Sequence, residues 1–450
     1  MRQRLVDLRQ GSLASLYALL LTCAVKASPL IVVGYYPAWV QRSFPPQAID
    51  FASVTHVAHA FAWPTADGNM AMYGEFDAYG FVAVVHGADR KAILSLGGWG
   101  QSDGFSPMTA DPAKRARFTT AVRDLCLSAG YDGVDIDWEY PSATDRLNLT
   151  TWVKELRQAL NTLVPPRSLS AAVPAGAWAG SRYDFAALHP YLDWIGCMTY
   201  DFHGSWTAHA GHNAPLYSSG NDPCGSAHEA AVYLLSCGLP RQKVLIGIPL
   251  YGRLFTAARL YGPSTGGAEV WYSVVTSDYL PTWRYHWDEI AKVPYLTNAG
   301  GTMLLSFDDT SSVRLKCAYV REQRLGGVIV WALGQDVVGG EQVLMSTIGR
   351  ELLSGTVVTE QKEAPKNAEL RCFPYPCTNW VTVVHRTPAT QAVSVRLCDM
   401  RGRTVCELLT PSSQSEGHAT FDLSGLASGL YVCQVLGESM IGTCKVLIVR

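Results

Sequence analysis

Between residues 31 and 333 the chain passes through eight short runs rich in apolar residues, each separated from the next by a longer stretch of mixed polarity. The runs are "IVVGYY" (31–36), "THVAHAFA" (55–62), "KAILSLGG" (91–98), "GVDIDWE" (133–139), "LSAAV" (169–173), "WIGCMTY" (194–200), "KVLIGIPLYG" (243–252) and "GVIVWAL" (327–333). Near-continuous apolar runs of this length read as strands buried on both faces, and the segments between them read as helical. A strand alternating with a helix eight times predicts an α/β fold, a parallel (β/α)8 TIM barrel. Polar and aromatic residues gather at the C-terminal ends of the runs: Tyr35 and Tyr36, Phe61, Gly97 and Gly98, Glu139, Tyr200 and Asp201, Tyr251 and Arg253, and Trp331. In such a barrel those ends form the rim that carries function.

The fourth run breaks the pattern. "YDGVDIDWEYP" (131–141) puts Asp132, Asp135, Asp137 and Glu139 within nine positions. Side chains alternate along a strand, so Val134, Ile136 and Trp138 share one face while Asp135, Asp137 and Glu139 share the other. Three carboxylates so close repel one another and lose hydration when covered, so they must share protons, find donors or line a cleft. Glu139 is expected at the barrel mouth, with Asp137 and Asp135 progressively deeper. Asp132, ahead of Gly133 at the strand start, reads as a turn or cap residue.

Composition narrows the picture. The chain has 450 residues, 48% hydrophobic and 16% charged, with a net charge of −2. That is enough for one large domain and a small one, and it lacks the basic excess of a nucleic-acid binder. Thirteen Trp and 21 Tyr supply flat faces suited to stacking on sugar rings. Residues 1–27 read as a secretory signal: Arg2, Arg4 and Arg9 precede "LASLYALLLTCAV", and a small-residue cleavage site follows at Ala27. A lipoprotein signal ending at Cys23 fits less well, because Thr22 is a poor match. No other stretch approaches ~18 apolar residues, so no stable membrane insertion is expected. Most cysteines read as buried apolar thiols, Cys398, Cys406, Cys433 and Cys444 among them, with Cys224 and Cys237 the first pair to test for a bond. His56 and His59 lie three apart on a strand and face opposite sides, so they cannot jointly hold a metal. No metal and no cofactor are expected.

"DGVDIDWE" resembles the D-G-x-D-x-D-x-E signature of glycoside hydrolase family 18, the chitinase family. "GYYPAW", "SLGGWG", "AAVPAG", "MTYDFHGSW", "GHNAPLY", "GIPLYGR", "SFDDTSS" and "GGVIVWAL" are similar to other stretches of that family and stand in its order, over about residues 30–350. The resemblance implies a retaining, substrate-assisted hydrolysis of β-1,4 bonds between N-acetylglucosamine units, in which the substrate's acetamido oxygen attacks the anomeric carbon. This departs from the usual pair of carboxyls acting as acid and nucleophile. It makes Glu139 the acid and then the base, with its proton favoured by Asp137. Asp137 orients the acetamido N–H, and Asp135 holds a shared proton deeper, with Ser95 as a supporting donor. Tyr200 bonds the acetamido carbonyl, and Trp331 is the floor under the sugar. Tyr35, Phe61, Gly98, Trp99, Met198, Asp201, Trp206 and Arg253 are implied to line the cleft, with Trp39 farther out. Chitin or chitooligosaccharides are the implied substrate and a monomer the implied state. An endo-β-N-acetylglucosaminidase on N-glycans and a non-catalytic chitin-binding lectin remain alternatives; the second typically lacks the acid that Glu139 supplies.

Between Arg253 and Ser306 the family often inserts a small α+β domain. About 50 residues are available here, which reads as too little for a full insertion and predicts a shallow groove and endo-type cleavage. The barrel is expected over residues 29–353 and a polar linker over 354–368. Residues 369–450 alternate apolar and polar positions, as in an immunoglobulin-like all-β sandwich. "CFPYPCTNWVTV", "VSVRLCDMRGRTV", "FDLSGLASGLYVCQV" and "GTCKVLIVR" resemble the C-terminal sorting domain of the bacterial type IX secretion system, although Tyr375 stands where that family usually has Asn. The resemblance implies export to the medium or cell surface with the type IX machinery as partner; a carbohydrate-binding module is the alternative.

Overall fold

The computed structural model describes residues 29–219, 222, 224–354, 370–373, 377–386, 393–399, 404–410, 416–436 and 440–448. The expected signal segment and linker lie outside the described residues. The chain divides into two compact units, with the boundary in sequence between residues 354 and 355.

In the first unit eight parallel strands close into a barrel: β1 (Ile31–Pro37), β2 (His56–Pro64), β3 (Lys91–Gly97), β4 (Gly133–Asp137), β5 (Ser168–Pro174), β6 (Trp194–Met198), β7 (Val244–Pro249) and β8 (Gly327–Trp331). Each pairs with the next, and β8 returns to β1. All eight runs of the sequence therefore become barrel strands. The two-residue period splits their side chains into two cores. Val32, Tyr36, Val57, Leu94, Val134, Ile136, Ile195, Ile246 and Val330 face the surrounding helices, while Val33, Tyr35, Ala58, Ile93, Ala172, Met198, Leu245 and Ile329 fill the interior. Register then builds the site: Ser95 and Ser170 lie opposite Asp135 on its two neighbouring strands.

His59 bonds Tyr131 at 2.7 Å and stacks on Phe76 in the outer core, and burial holds its pKa down at about 3. His56 instead packs against Trp194. The opposite-face reading of these two histidines holds. Asp132 accepts from Lys91 Nζ (3.1 Å), the Ala92 N–H (2.9 Å) and His86 Nε2 (2.8 Å) at the bottom of the strand, as its turn-like reading implied.

The expectation that too few residues remain for a full insertion is overturned. Tyr251–Thr256, Thr265–Trp271, Arg284–Asp288, Val293–Thr297 and Met303–Ser306 form a five-stranded antiparallel sheet between β7 and β8. Some 50 residues thus suffice for an inserted sheet, with Leu254, Phe255, Leu296, Leu304 and Leu305 supplying its apolar positions.

In the second unit a three-stranded and a four-stranded antiparallel sheet share a core of Val381, Val383, Val395, Leu397, Phe421, Val435, Val446 and Ile448, the expected all-β arrangement. Cys372 is bonded to Cys444, so Cys444 is not the free apolar thiol expected. Cys224 and Cys237 are both free.

Candidate active site

Asp135 sits deepest, 3% exposed, and is saturated by hydroxyls. Tyr35 Oη (2.8 Å) and Ser95 Oγ (2.9 Å) donate to its Oδ2, and Ser170 Oγ (2.7 Å) donates to Oδ1. Burial raises its pKa, and the three donors pull it back toward the ionised form. Asp137, one step up the strand, is equally buried, and its Oδ1 finds no partner among the described residues. Burial first, then the charges of Glu139 and Asp135, push its pKa well above the carboxylate range. Each of these causes favours the protonated form of Asp137. Glu139 stands at the cleft, partly exposed. Burial raises its pKa from 4.5 to about 7; a Tyr140 hydrogen bond opposes this, the Asp201 charge adds to it, and the Trp99 N–H opposes it. All three carboxyls of the row are thus pushed upward, and the one at the mouth, Glu139, exchanges its proton near neutrality.

The backbone around the row is tightly fitted. At Gly97 a Cβ would meet the Asp137 carbonyl oxygen at 2.1 Å, and φ is +116°. At Gly98 it would meet the Phe61 ring at 2.4 Å. The Gly98 N–H donates to Asp137 O at 2.8 Å, so this glycine acts by close approach, its amide already engaged. The Glu139 N–H donates to Ser102 Oγ at 2.9 Å, fixing the exit of β4.

Trp331, at the end of β8, lies among Phe61 (5.7 Å, near-parallel), Tyr35 (5.9 Å) and Trp39 (6.4 Å). Tyr200 packs edge-on to Tyr251 at 6.2 Å, its ring accommodated because residue 247 is glycine. Burial, then the charges of Asp137 and Glu139, keep its hydroxyl protonated. Met198 joins Phe61 and Tyr35 in the inner core. Asp201 Oδ1 receives Arg253 Nε (2.8 Å) and Nη2 (2.6 Å), and the Arg253 guanidinium lies 5.0 Å over the Trp206 ring. Trp39, Trp99 and Trp206 are 53%, 80% and 58% exposed, so they are available surface and not core. The sequence-predicted residues therefore converge, Trp99 and Trp206 being the most open of them.

Sequence reasoning missed several contributors. Ser170 completes the Asp135 cradle and could have been found from strand register alone. Tyr183 Oη donates to Trp138 O at 2.9 Å, Tyr140 packs edge-on to the exposed Trp178 at 5.1 Å, and Gln335 Nε2 donates to Glu269 at 3.3 Å beside Arg253's strand. These lie on loops or on the insertion, where no periodic pattern marks them.

The raised pKa of Glu139 has a stability consequence. A carboxyl that holds its proton more tightly folded than unfolded makes stability fall as pH rises from about 4.5 to about 7. Glu139→Gln removes that ionisation. Discounted for partial exposure, the variant is expected to be about 1–3 kcal/mol more stable than the native chain at pH 8 and no different at pH 4. Denaturant melts at both pH values check this, and equal midpoints at pH 8 would contradict it.

A proton donor tuned near neutrality, two deeper carboxyls whose pKa burial raises and an aromatic floor suit acid–base cleavage of a ring-shaped polar substrate. Comparison with known proteins agrees. Residues 31–336 match the glycosyl hydrolases family 18, and residues 371–450 match a secretion system C-terminal sorting domain. Chitinase A1 of Niallia circulans is 28% identical over 447 residues; the match covers 78% of this chain but only 63% of that protein's length. The Ostrinia furnacalis Group IV chitinase, solved with allosamidin, superposes with a TM-score of 0.66 at 28% identity, covering 71% of this chain and 98% of that one. A family 18 N-acetylglucosaminidase from Paenibacillus barengoltzii gives 0.66 at 27% identity, covering 72% and 100%.

Proposed function

Because the chain belongs to glycoside hydrolase family 18, we propose that its barrel hydrolyses the β-1,4 bonds of chitin and chitooligosaccharides with Glu139 as general acid and base. The carrying observation is the graded row of Asp135, Asp137 and Glu139 beside Tyr200. The sugar rests on Trp331. The substrate's acetamido oxygen attacks C1 as Glu139 gives its proton to the leaving oxygen, producing an oxazolinium. Asp137 passes its proton to Asp135 as it turns to the acetamido N–H, and the negative charge it then carries offsets the cation. Tyr200 Oη donates to the acetamido oxygen and holds it at C1. Glu139, now ionised, takes a proton from the water that opens the ring, which returns the β-configuration. Tyr35, Ser95 and Ser170 hold Asp135 in place beneath Asp137, and burial raises its pKa, so it can take up the proton that Asp137 gives up.

The presence of the inserted sheet removes the premise for endo cleavage, and the likeness to an N-acetylglucosaminidase favours testing release of single N-acetylglucosamine units as a second reading. A product profile from chitin hexamer decides: internal fragments from the first turnover indicate endo action, monomer alone indicates exo action. Cleavage of a high-mannose glycopeptide with chitin oligomers left intact would overturn the chitinase reading.

The sorting-domain match supports export through the type IX machinery. A chain ending at Ser354 is expected to cleave chitin oligomers at an unchanged rate, since the break between compact units falls there, yet to stay in the periplasm of a host with that machinery. Cell fractionation checks this. Truncated enzyme in the medium with lowered affinity for insoluble chitin would make the C-terminal unit a binding module.

A further inference from the structure

The loop that follows β6 carries a second constellation of ligating groups, none of them in the carboxylate row. His203, His209, Asp222 and Cys224 each offer one donor atom, and all four atoms lie within 4.8 Å of one another. The His203 side chain is fully buried. Its Nδ1 lies 2.9 Å from the carbonyl of His212, an acceptor only, so Nδ1 carries the proton and the lone pair of Nε2 points into the cluster. Nε2 is 3.2 Å from His209 Nε2 and 3.2 Å from Asp222 Oδ1. The Asp222 carboxylate is also fully buried. Its Oδ1 accepts the Cys224 N–H at 2.9 Å, and its Oδ2 has no hydrogen-bond partner among the described residues.

An ion pair between a protonated His203 and Asp222 would account for one of these contacts. It would leave the second carboxylate oxygen buried and without a partner among the described residues, with a second imidazole nitrogen and a thiol crowded against the same point. A cation among the four satisfies all of them. The spacing has the right scale: metal–nitrogen bonds of about 2.0–2.1 Å in a tetrahedron give ligand–ligand edges of about 3.3–3.4 Å. Two imidazoles, a carboxylate and a thiolate form a borderline-soft set that suits zinc, whereas calcium and magnesium take oxygen. Four protein ligands leave no open position for water, which is the pattern of a structural site.

We infer that His203, His209, Asp222 and Cys224 bind one structural Zn2+. The site pins the loop carrying Asp201 and Trp206 and joins it to the insertion, because His209 bridges Pro263 and the Ala210 N–H donates to Gly262 O at 2.9 Å. This departs from the expectation of no metal, which rested on the absence of a recognisable spacing: the donors are spread as His-x5-His-x12-Asp-x-Cys.

The test uses the full chain, stripped with chelator and dialysed against Zn2+ or Co2+ alone. One equivalent of Zn2+ should be retained, and Zn2+ should raise the unfolding temperature. Co2+ should give the intense visible bands of a tetrahedral site together with a near-ultraviolet sulfur-to-metal band. Cys224→Ser should abolish the sulfur band, and His209→Ala should weaken Zn2+ binding at least ~10-fold, while Cys237→Ser should change neither. Failure of the unmodified chain to retain Zn2+ or to give the Co2+ spectrum would overturn the site, and needs no variant to fold. A sulfur band surviving in Cys224→Ser would overturn it equally, by placing the metal elsewhere. Chitin hydrolysis is not a readout, so the outcome stands apart from the function proposed above.

Discussion

Glu139→Gln is expected to lower turnover on chitin oligosaccharides by at least ~10²-fold, about 2.7 kcal/mol of barrier, while oligosaccharide binding persists. Glutamine keeps the shape and the N–H bond to Ser102 but has no proton to give. The sugar platform of Trp331, Phe61 and Tyr35 is untouched, so the loss should appear in kcat with KM little changed. The native enzyme should also show kcat/KM falling above about pH 7, as the free enzyme's Glu139 loses its proton; the variant's residual rate should not show that limb. Near-native turnover of the purified variant would remove Glu139 from its role.

A loss of comparable or greater size is expected when the substrate's acetamido group is removed. The deeper carboxyls of the row are poorly placed as nucleophiles: Asp135 is enclosed by three donors, and burial and the neighbouring charges favour the protonated form of Asp137. The attacking atom must therefore come with the sugar. A chitooligosaccharide carrying glucosamine at the cleaved unit should show no detectable cleavage there, and a thiazoline analogue of the oxazolinium should bind more tightly than substrate. Mass spectrometry of intact enzyme during turnover provides the check. A glycosyl ester trapped on Asp137 or Glu139 would replace this mechanism with a covalent one.

The barrel was legible because its strands are buried on both faces, which leaves apolar runs that a two-residue period sorts into inner and outer cores. The acid row was legible for the same reason in reverse, since carboxyls at 135, 137 and 139 cannot all face an apolar layer. The insertion was not. Its strand "TGGAEVW" is largely exposed, so neither an apolar run nor clean alternation marks it, and length alone misled. The metal cluster was invisible because its donors lie on a loop with no period and converge only through tertiary contacts. The Cys372–Cys444 bond joins residues 72 apart in sequence, a pairing that eleven cysteines outside the signal leave undetermined.

The central claim, a substrate-assisted hydrolysis of chitin by Glu139, is tested most directly by proton NMR of the first minutes of chitin tetramer hydrolysis by the full chain. The account predicts that the new reducing end appears as the β-anomer and reaches the α/β equilibrium only later. A first product in the α-configuration, or a tetramer left intact by active, folded protein, would contradict it.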